Sequence, residues 1–226
     1  MPQYQTIDFP VVLGIEVSAM KNILLVVLIG FALSLCNLSE KLHKGSSNSG
    51  SSSSGGGSSR TAEPGKATAE QAAAIAGGKA VKWEKQGMSW TIPSNWTEET
   101  NESKMFMMRS PGGGDAASLI VNISPMDENF PAESSMQATY EQAASRAKNG
   151  EVDEVKWVEI DGLKGVQFRE ANPEKPDNPR RLQWMAYRKY TGQLQLINLM
   201  LASEGKDFER HKNALYGILY STKVAH

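Results

Sequence analysis

From residue 79 onward the apolar and polar positions recur at two periods. Ala80 to Lys85 (AVKWEK) and Met88 to Ile92 (MSWTI) alternate apolar with polar or charged side chains, and the second run stops at Pro93. Lys104 to Arg109 (KMFMMR) and Ala117 to Ser124 (ASLIVNIS) follow, with Leu119, Val121 and Ile123 on one face. A period of two puts successive side chains on opposite faces of a strand, so each run predicts a strand. The period then changes. In Ala132 to Lys148, Met136, Tyr140, Ala143, Ala144 and Ala147 recur at spacings of three and four, which predicts a helix. Asn149-Gly150 closes it with a C-terminal cap signal. Four strand-like runs come next: Asp153 to Ile160, Lys164 to Glu170, Arg180 to Tyr190 and Gln193 to Ala202. In the last of these Leu194, Leu196, Asn198 and Met200 oppose Ile197, Leu199 and Leu201, so both faces of that strand read as covered. Lys206 to Ser221 closes the pattern as a helix with Phe208, His211, Leu215, Ile218 and Leu219 on one side.

The order is strands, helix, strand meander, helix. It predicts an α+β domain over residues 79–226, with a mostly antiparallel sheet of about six to eight strands and helices packed on it as a sandwich. Asp161-Gly162 and Thr191-Gly192 sit between consecutive runs as two-residue turns, which joins those strands as antiparallel hairpins.

Upstream the pattern is different. The one long apolar run is Ile23 to Leu38 (ILLVVLIGFALSLCNL). At about 1.5 Å per residue its 16 residues span about 24 Å as a helix, short of the ~30 Å hydrocarbon core of a bilayer. Met20-Lys21-Asn22 before it supplies one positive charge, and Ile23 to Leu35 has the length of a signal-peptide core. Residues 1–19 carry Asp8 and Glu16 and no Lys or Arg, so they read as a leader ahead of the true start at Met20. A genuine N-terminal extension is the competing reading. Residues 20–38 are accordingly a signal peptide or a membrane anchor, and residues 39–78 a flexible linker. Gly45 to Arg60 has nine Ser and five Gly, too little apolar surface to offset the entropy of ordering. Within the linker, AEQAAAIAGG reads as a short helical turn ended by Gly77-Gly78.

Composition narrows the chemistry. Lys and Arg number 24 against 25 Asp and Glu, a net charge of −1, so no basic surplus points to nucleic acid. The only cysteine is Cys36, inside the apolar run, which leaves the domain without a disulfide, a thiolate metal cluster or a cysteine nucleophile. Of the three histidines His43 lies in the linker, His226 is the last residue and His211 is on a helix face. They assemble neither a catalytic triad nor a metal site, so the expectation is no enzyme, no cofactor and no metal. A hydrolase built on Ser and Glu alone, without His or Cys, is a poor rival. Gly112-Gly113-Gly114 lacks the Lys-Ser/Thr and the helix of a phosphate loop and reads as a hairpin connection.

Two features remain as partner-binding candidates. Trp83, Trp90, Trp96, Trp157 and Trp184 read as core, with Trp96 the exception because it follows Pro93 in a turn. In Asn172 to Arg181 (NPEKPDNPRR), Pro173, Pro176 and Pro179 block pairing and predict an exposed, stiffened loop. There Arg180 and Arg181, beside Glu174 and Asp177, could dock a partner, the alternative being a solvated loop.

Leu33-Ser34-Leu35-Cys36 resembles a bacterial lipobox, with Leu35 departing from the small residue usual before the cysteine. The resemblance implies lipid attachment at Cys36, and an uncleaved apolar anchor is the alternative. Both tie the domain to a membrane on its extracytoplasmic side. Met88 to Trp96 (MSWTIPSNW), the aliphatic strand Ser118 to Ser124, Asp161 to Gly165 (DGLKG), the aromatic strand Gln183 to Tyr190 and the closing helix together resemble the PsbP/Mog1-like superfamily. That superfamily includes bacterial DcrB-type envelope lipoproteins. The resemblance implies a binding or assembly module that recognises an envelope protein. A carrier of a lipid or small apolar ligand is the alternative.

Overall fold

The computed structural model describes residues 61–113 and 115–225. The leader, the apolar run with Cys36, the Ser/Gly spacer, Gly114 and His226 lie outside the described residues. All eight strands and both long helices expected from the pattern form, with ends shifted by a few residues. The strands are β1 (Glu63–Pro64), β2 (Lys79–Trp83), β3 (Met88–Ile92), β4 (Thr97–Asn101), β5 (Met105–Arg109), β6 (Ser118–Met126), β7 (Val152–Ile160), β8 (Leu163–Glu170), β9 (Pro179–Tyr190), β10 (Gln193–Glu204) and β11 (Lys223–Val224). The helices are α1 (Ala69–Ala74), α2 (Ala132–Lys148) and α3 (Gly205–Tyr220).

The fold is α+β, built on a mixed sheet of eight strands in the order β1-β7-β8-β9-β10-β6-β5-β4. Every neighbouring pair in it is antiparallel except β1 with β7. The β7–β8 and β9–β10 hairpins turn at Asp161-Gly162 and Thr191-Gly192, with positive φ at both residues of each turn. That is the type I′ geometry whose twist matches the strands it joins. A second antiparallel sheet, β11-β3-β2, lies over part of the large one.

One face of the large sheet meets α3 and the small sheet. Leu182, Trp184, Leu199 and Leu201 share a core there with Phe208, Leu215, Ile218 and Leu219 of α3 and with Trp83, Trp90 and Ile92 of the small sheet. Phe106 stacks on Trp90 at 5.2 Å between ring centroids and tilts against Trp83 at 5.7 Å. The other face carries α2, which packs on β7, β8 and β9. Its Met136 and Ala143 meet Trp157, Val166 and Phe168, and Tyr140 and Ala147 border the cluster as the helical spacing predicts. The C-terminus of α2 is capped by Gly150 N–H to the Ala147 carbonyl at 3.1 Å and Glu151 N–H to that of Arg146 at 3.0 Å.

Residues 61–78, which composition places in the flexible linker, form two elements packed on the domain. β1 adds to the edge of β7, with Gly65 N–H donating to the Glu159 carbonyl at 2.7 Å. The short helical turn expected nearby is α1, which starts in a capping box at Thr68 and packs on α3. It sits so close that a Cβ on Gly217 would run into the Gln71 carbonyl. The order of residues 61–78 comes from surfaces far away in sequence, and a composition reading cannot register those.

Candidate functional site

The residues singled out for partner binding fall in three different settings. Trp96 is buried at 4 % exposure, with its carbonyl accepting from the Lys79 ammonium at 2.7 Å. It joins the other four tryptophans in the interior, which corrects the expectation that it stands apart from them. The turn after Pro93 leads into β4, a strand whose run TEETN has no alternating apolar face, and β4 pairs with β5 at the end of the sheet.

Arg180 is buried as well, at 3 %. Its guanidinium donates to the Glu170 carbonyl at 2.8 Å, to Glu209 at 2.8 Å and to Asp153 at 2.5 Å, and it lies 4.5 Å over the Phe208 ring. These contacts engage all three nitrogens of the guanidinium within the fold's own charge network. Arg180 therefore offers no free donor edge of the kind expected for docking. Arg181, one residue on, points to the opposite face of the sheet. It holds Glu170 at 3.0 Å and keeps its side chain 33 % exposed. The proline-rich loop before them also has an inward task. The carbonyls of Asn178 and Pro176 accept from the first two N–H groups of α3, Gly205 and Lys206, at 2.9 and 3.0 Å. A helix start leaves such groups without partners, and this loop supplies them.

Around Arg180 a mixed-charge network runs along β7, β8 and α3. Arg169 pairs with Asp153 at 2.6 Å and Glu154 at 3.3 Å, and Lys156 pairs with Glu154 at 3.2 Å. The Tyr216 hydroxyl donates to Glu154 at 2.6 Å, and that of Tyr220 to Gln167 at 2.9 Å. Burial, with the neighbouring Glu154, holds the Tyr216 hydroxyl far above the usual phenol range. For Glu209 burial works upward, but its hydrogen bonds to Lys212 and Arg180 prevail and hold the carboxyl below the usual range. Every charge named here has an opposite partner, so the network reads as a clamp between α3 and the sheet edge.

A different surface lies on the helical face beyond the reach of α2. Register across the strands aligns its side chains in rows. One row runs Thr100, Met107, Ile120, Met200, Gln183. The next runs Met105, Asn122, Asn198, Met185. On the opposite side lies Arg109, Ser118, Ala202, Arg181. Met105, Met107, Ile120, Asn122, Asn198 and Met200 are half-buried here, while the alternate residues Phe106, Met108, Leu119, Val121, Leu199 and Leu201 are sealed on the other face. The Gln183 amide donates to Asn198 Oδ1 at 2.6 Å. Methionines suit a surface that adapts to what it binds, since the thioether chain is flexible and polarisable.

No family model matches the chain, and no curated protein matches it. Solved structures do. LpqN of Mycobacterium tuberculosis, described as involved in cell envelope biogenesis, aligns at 11% identity over 66% of this chain and 86% of its own, with a TM-score of 0.49. The cyanobacterial PsbP of Synechocystis aligns at 14% identity over 65% and 92%, with a TM-score of 0.42. The Ran-binding protein Mog1p of Saccharomyces cerevisiae aligns at 12% identity over 65% and 95%, with a TM-score of 0.37.

The row through Met107, Ile120 and Met200 was not among the expected sites. A signal for it was present: the alternation of KMFMMR sets Met105 and Met107 against Phe106 and Met108, and two asparagines interrupt aliphatic strands on the same face. Among the described residues no group of three His, Cys, Asp or Glu is placed to hold a metal ion. No described helix is long and apolar enough to cross a membrane.

Proposed function

We propose that the chain is a membrane-tethered, extracytoplasmic binding or assembly module, not an enzyme, and that it recognises an envelope protein through the open half of its large sheet. The carrying observation is the half-buried apolar row Met107, Ile120, Met200 on a face whose other half is covered by α2. The reading is supported from the opposite side of the sheet. There Trp83, Trp90, Trp184, Phe106 and Phe208 fill the layer under α3, which favours a protein partner over a lipid carried between sheet and helix. The apolar run near the N-terminus, anchored through acylated Cys36 or as an intact segment, confines the domain to a thin shell above the bilayer. Confinement raises its effective concentration toward membrane partners without any new contact.

The test is affinity capture of the full chain from bacterial membranes, beside a Met107→Lys/Met200→Lys variant. The expected result is one partner enriched with the wild-type chain and lost with the variant, whose circular dichroism stays native. Equal recovery with both chains would remove the open face from the proposal. Mass spectrometry of the captured chain reads its anchor: acylated Cys36 at the mature N-terminus is the expected state, and an unmodified Cys36 within a longer chain replaces the lipoprotein with an apolar anchor.

A further inference from the structure

We infer that the occupant of the open face is a single amphipathic helix of the partner, lying beside α2, with acidic residues at the end that meets Arg109 and Arg181. The inference rests on the binding-module reading and narrows it to one kind of ligand.

The shape of the face selects a rod. Past Leu196 and Met126, which join the cluster under α2, the strands β10, β6 and β5 at about 4.8 Å spacing make a floor about 14 Å wide, enough for one helix about 10 Å across. On one side α2 rises as a wall, tied down by Ser135 to the Tyr187 hydroxyl at 3.0 Å and by Arg146 to Glu170 at 3.7 Å. A flat bilayer surface cannot reach a floor that lies beside a helix of that thickness. An added strand is disfavoured too. Laid across Met107 and Ile120, it would leave its backbone N–H and C=O groups without partners, whereas a helix satisfies its own. The sheet edges also resist strand addition. β4 carries Glu98 and Glu99 with a bulge between Glu98 and Thr100, and β1 already pairs with part of β7.

Charge sets the direction. The Arg109 side chain is 46 % exposed, and its nearest carboxylate, Glu99, stands 3.8 Å away. Glu170 is divided between Arg181 and Arg146. Between the two arginines the row holds only Ser118 and Ala202, neither of which carries a charge. On the far side of the Met107 row from the arginines, Asn198 already accepts from Gln183, and Asn122 calls for a polar residue on the helix, since an unmatched amide under an apolar lid costs stability.

The experiment places a photo-crosslinking amino acid at position 107, 120 or 200 of the full chain, one at a time, in bacterial membranes. Crosslinked partner residues are mapped by mass spectrometry. The expected adducts fall in one segment at spacings of three and four, with acidic residues toward the Arg109 end. An Arg109→Glu/Arg181→Glu variant is expected to lower the yield about tenfold with unchanged circular dichroism. Adducts spaced by two, adducts scattered over several segments, adducts to lipid alone, or a yield indifferent to the charge reversal each overturn the helix inference. A protein adduct of the wrong spacing still leaves the binding module standing. No protein adduct from any of the three positions in a folded chain overturns both.

Discussion

The two halves of one sheet face differ in what covers them, and the difference separates stability from recognition. Under α2, Trp157, Val166 and Phe168 are at most 9 % exposed. Beyond α2, Met107, Ile120 and Met200 occupy the same kind of position on neighbouring strands and remain half-buried. Only the covered half contributes its apolar surface fully to folding, while the other keeps that gain for a partner.

Substitutions that separate the halves break the comparison most sharply. Phe168→Ala empties a sealed position and should cost about 3–5 kcal/mol in urea denaturation. Met107→Gln on the open half should stay within about 0.5 kcal/mol by the same measurement. If Met107→Gln cost as much as Phe168→Ala, the open half would be core rather than surface.

A second contrast of similar size lies between adjacent arginines. Arg180→Ala removes a buried guanidinium that bonds the Glu170 carbonyl, Asp153 and Glu209 at once, and should cost about 2–3 kcal/mol. Arg181→Ala loses only a partly exposed contact and should change the urea midpoint little, about 0.5 kcal/mol. Comparable losses at both positions would mean that the buried network around Arg180 does not hold α3 to the sheet.

The smallest effect appears only in alkali. Burial and Glu154 raise the Tyr216 hydroxyl in the folded protein, so above about pH 10 the unfolded chain releases a proton that the native state keeps. That contribution is fully present below about pH 10, and stability should then fall with rising pH by at most about 1.4 kcal/mol per unit. The decline should be shallower in Tyr216→Phe, measured as urea midpoints between about pH 9 and 11. An unchanged slope would remove Tyr216 as the titrating group.

Much of the fold was legible because its signals are local. Asp161-Gly162 and Thr191-Gly192 mark their turns by residue type, and Met136 with Ala143 marks the buried stripe of α2. The site was less legible. The last long strand read as covered on both faces, yet Asn198 and Met200 stay partly open because α2 stops short of them. Trp96 and Arg180 looked available because a turn and a proline-rich loop are usually exposed. Trp96 packs into the core of the α3 face, and Asp153 and Glu209, both distant in sequence, pair with Arg180.

The sequence by itself determined where strands, helices and hairpin turns fall, and which residues of each strand share a face. Those properties follow from backbone periodicity and turn chemistry within a few residues. Only the tertiary structure decided the strand order, the covering of one half-face and not the other, and the ordering of residues 61–78 against β7 and α3. Burial depends on which distant element arrives to exclude water, and a pattern along the chain carries no record of that arrival.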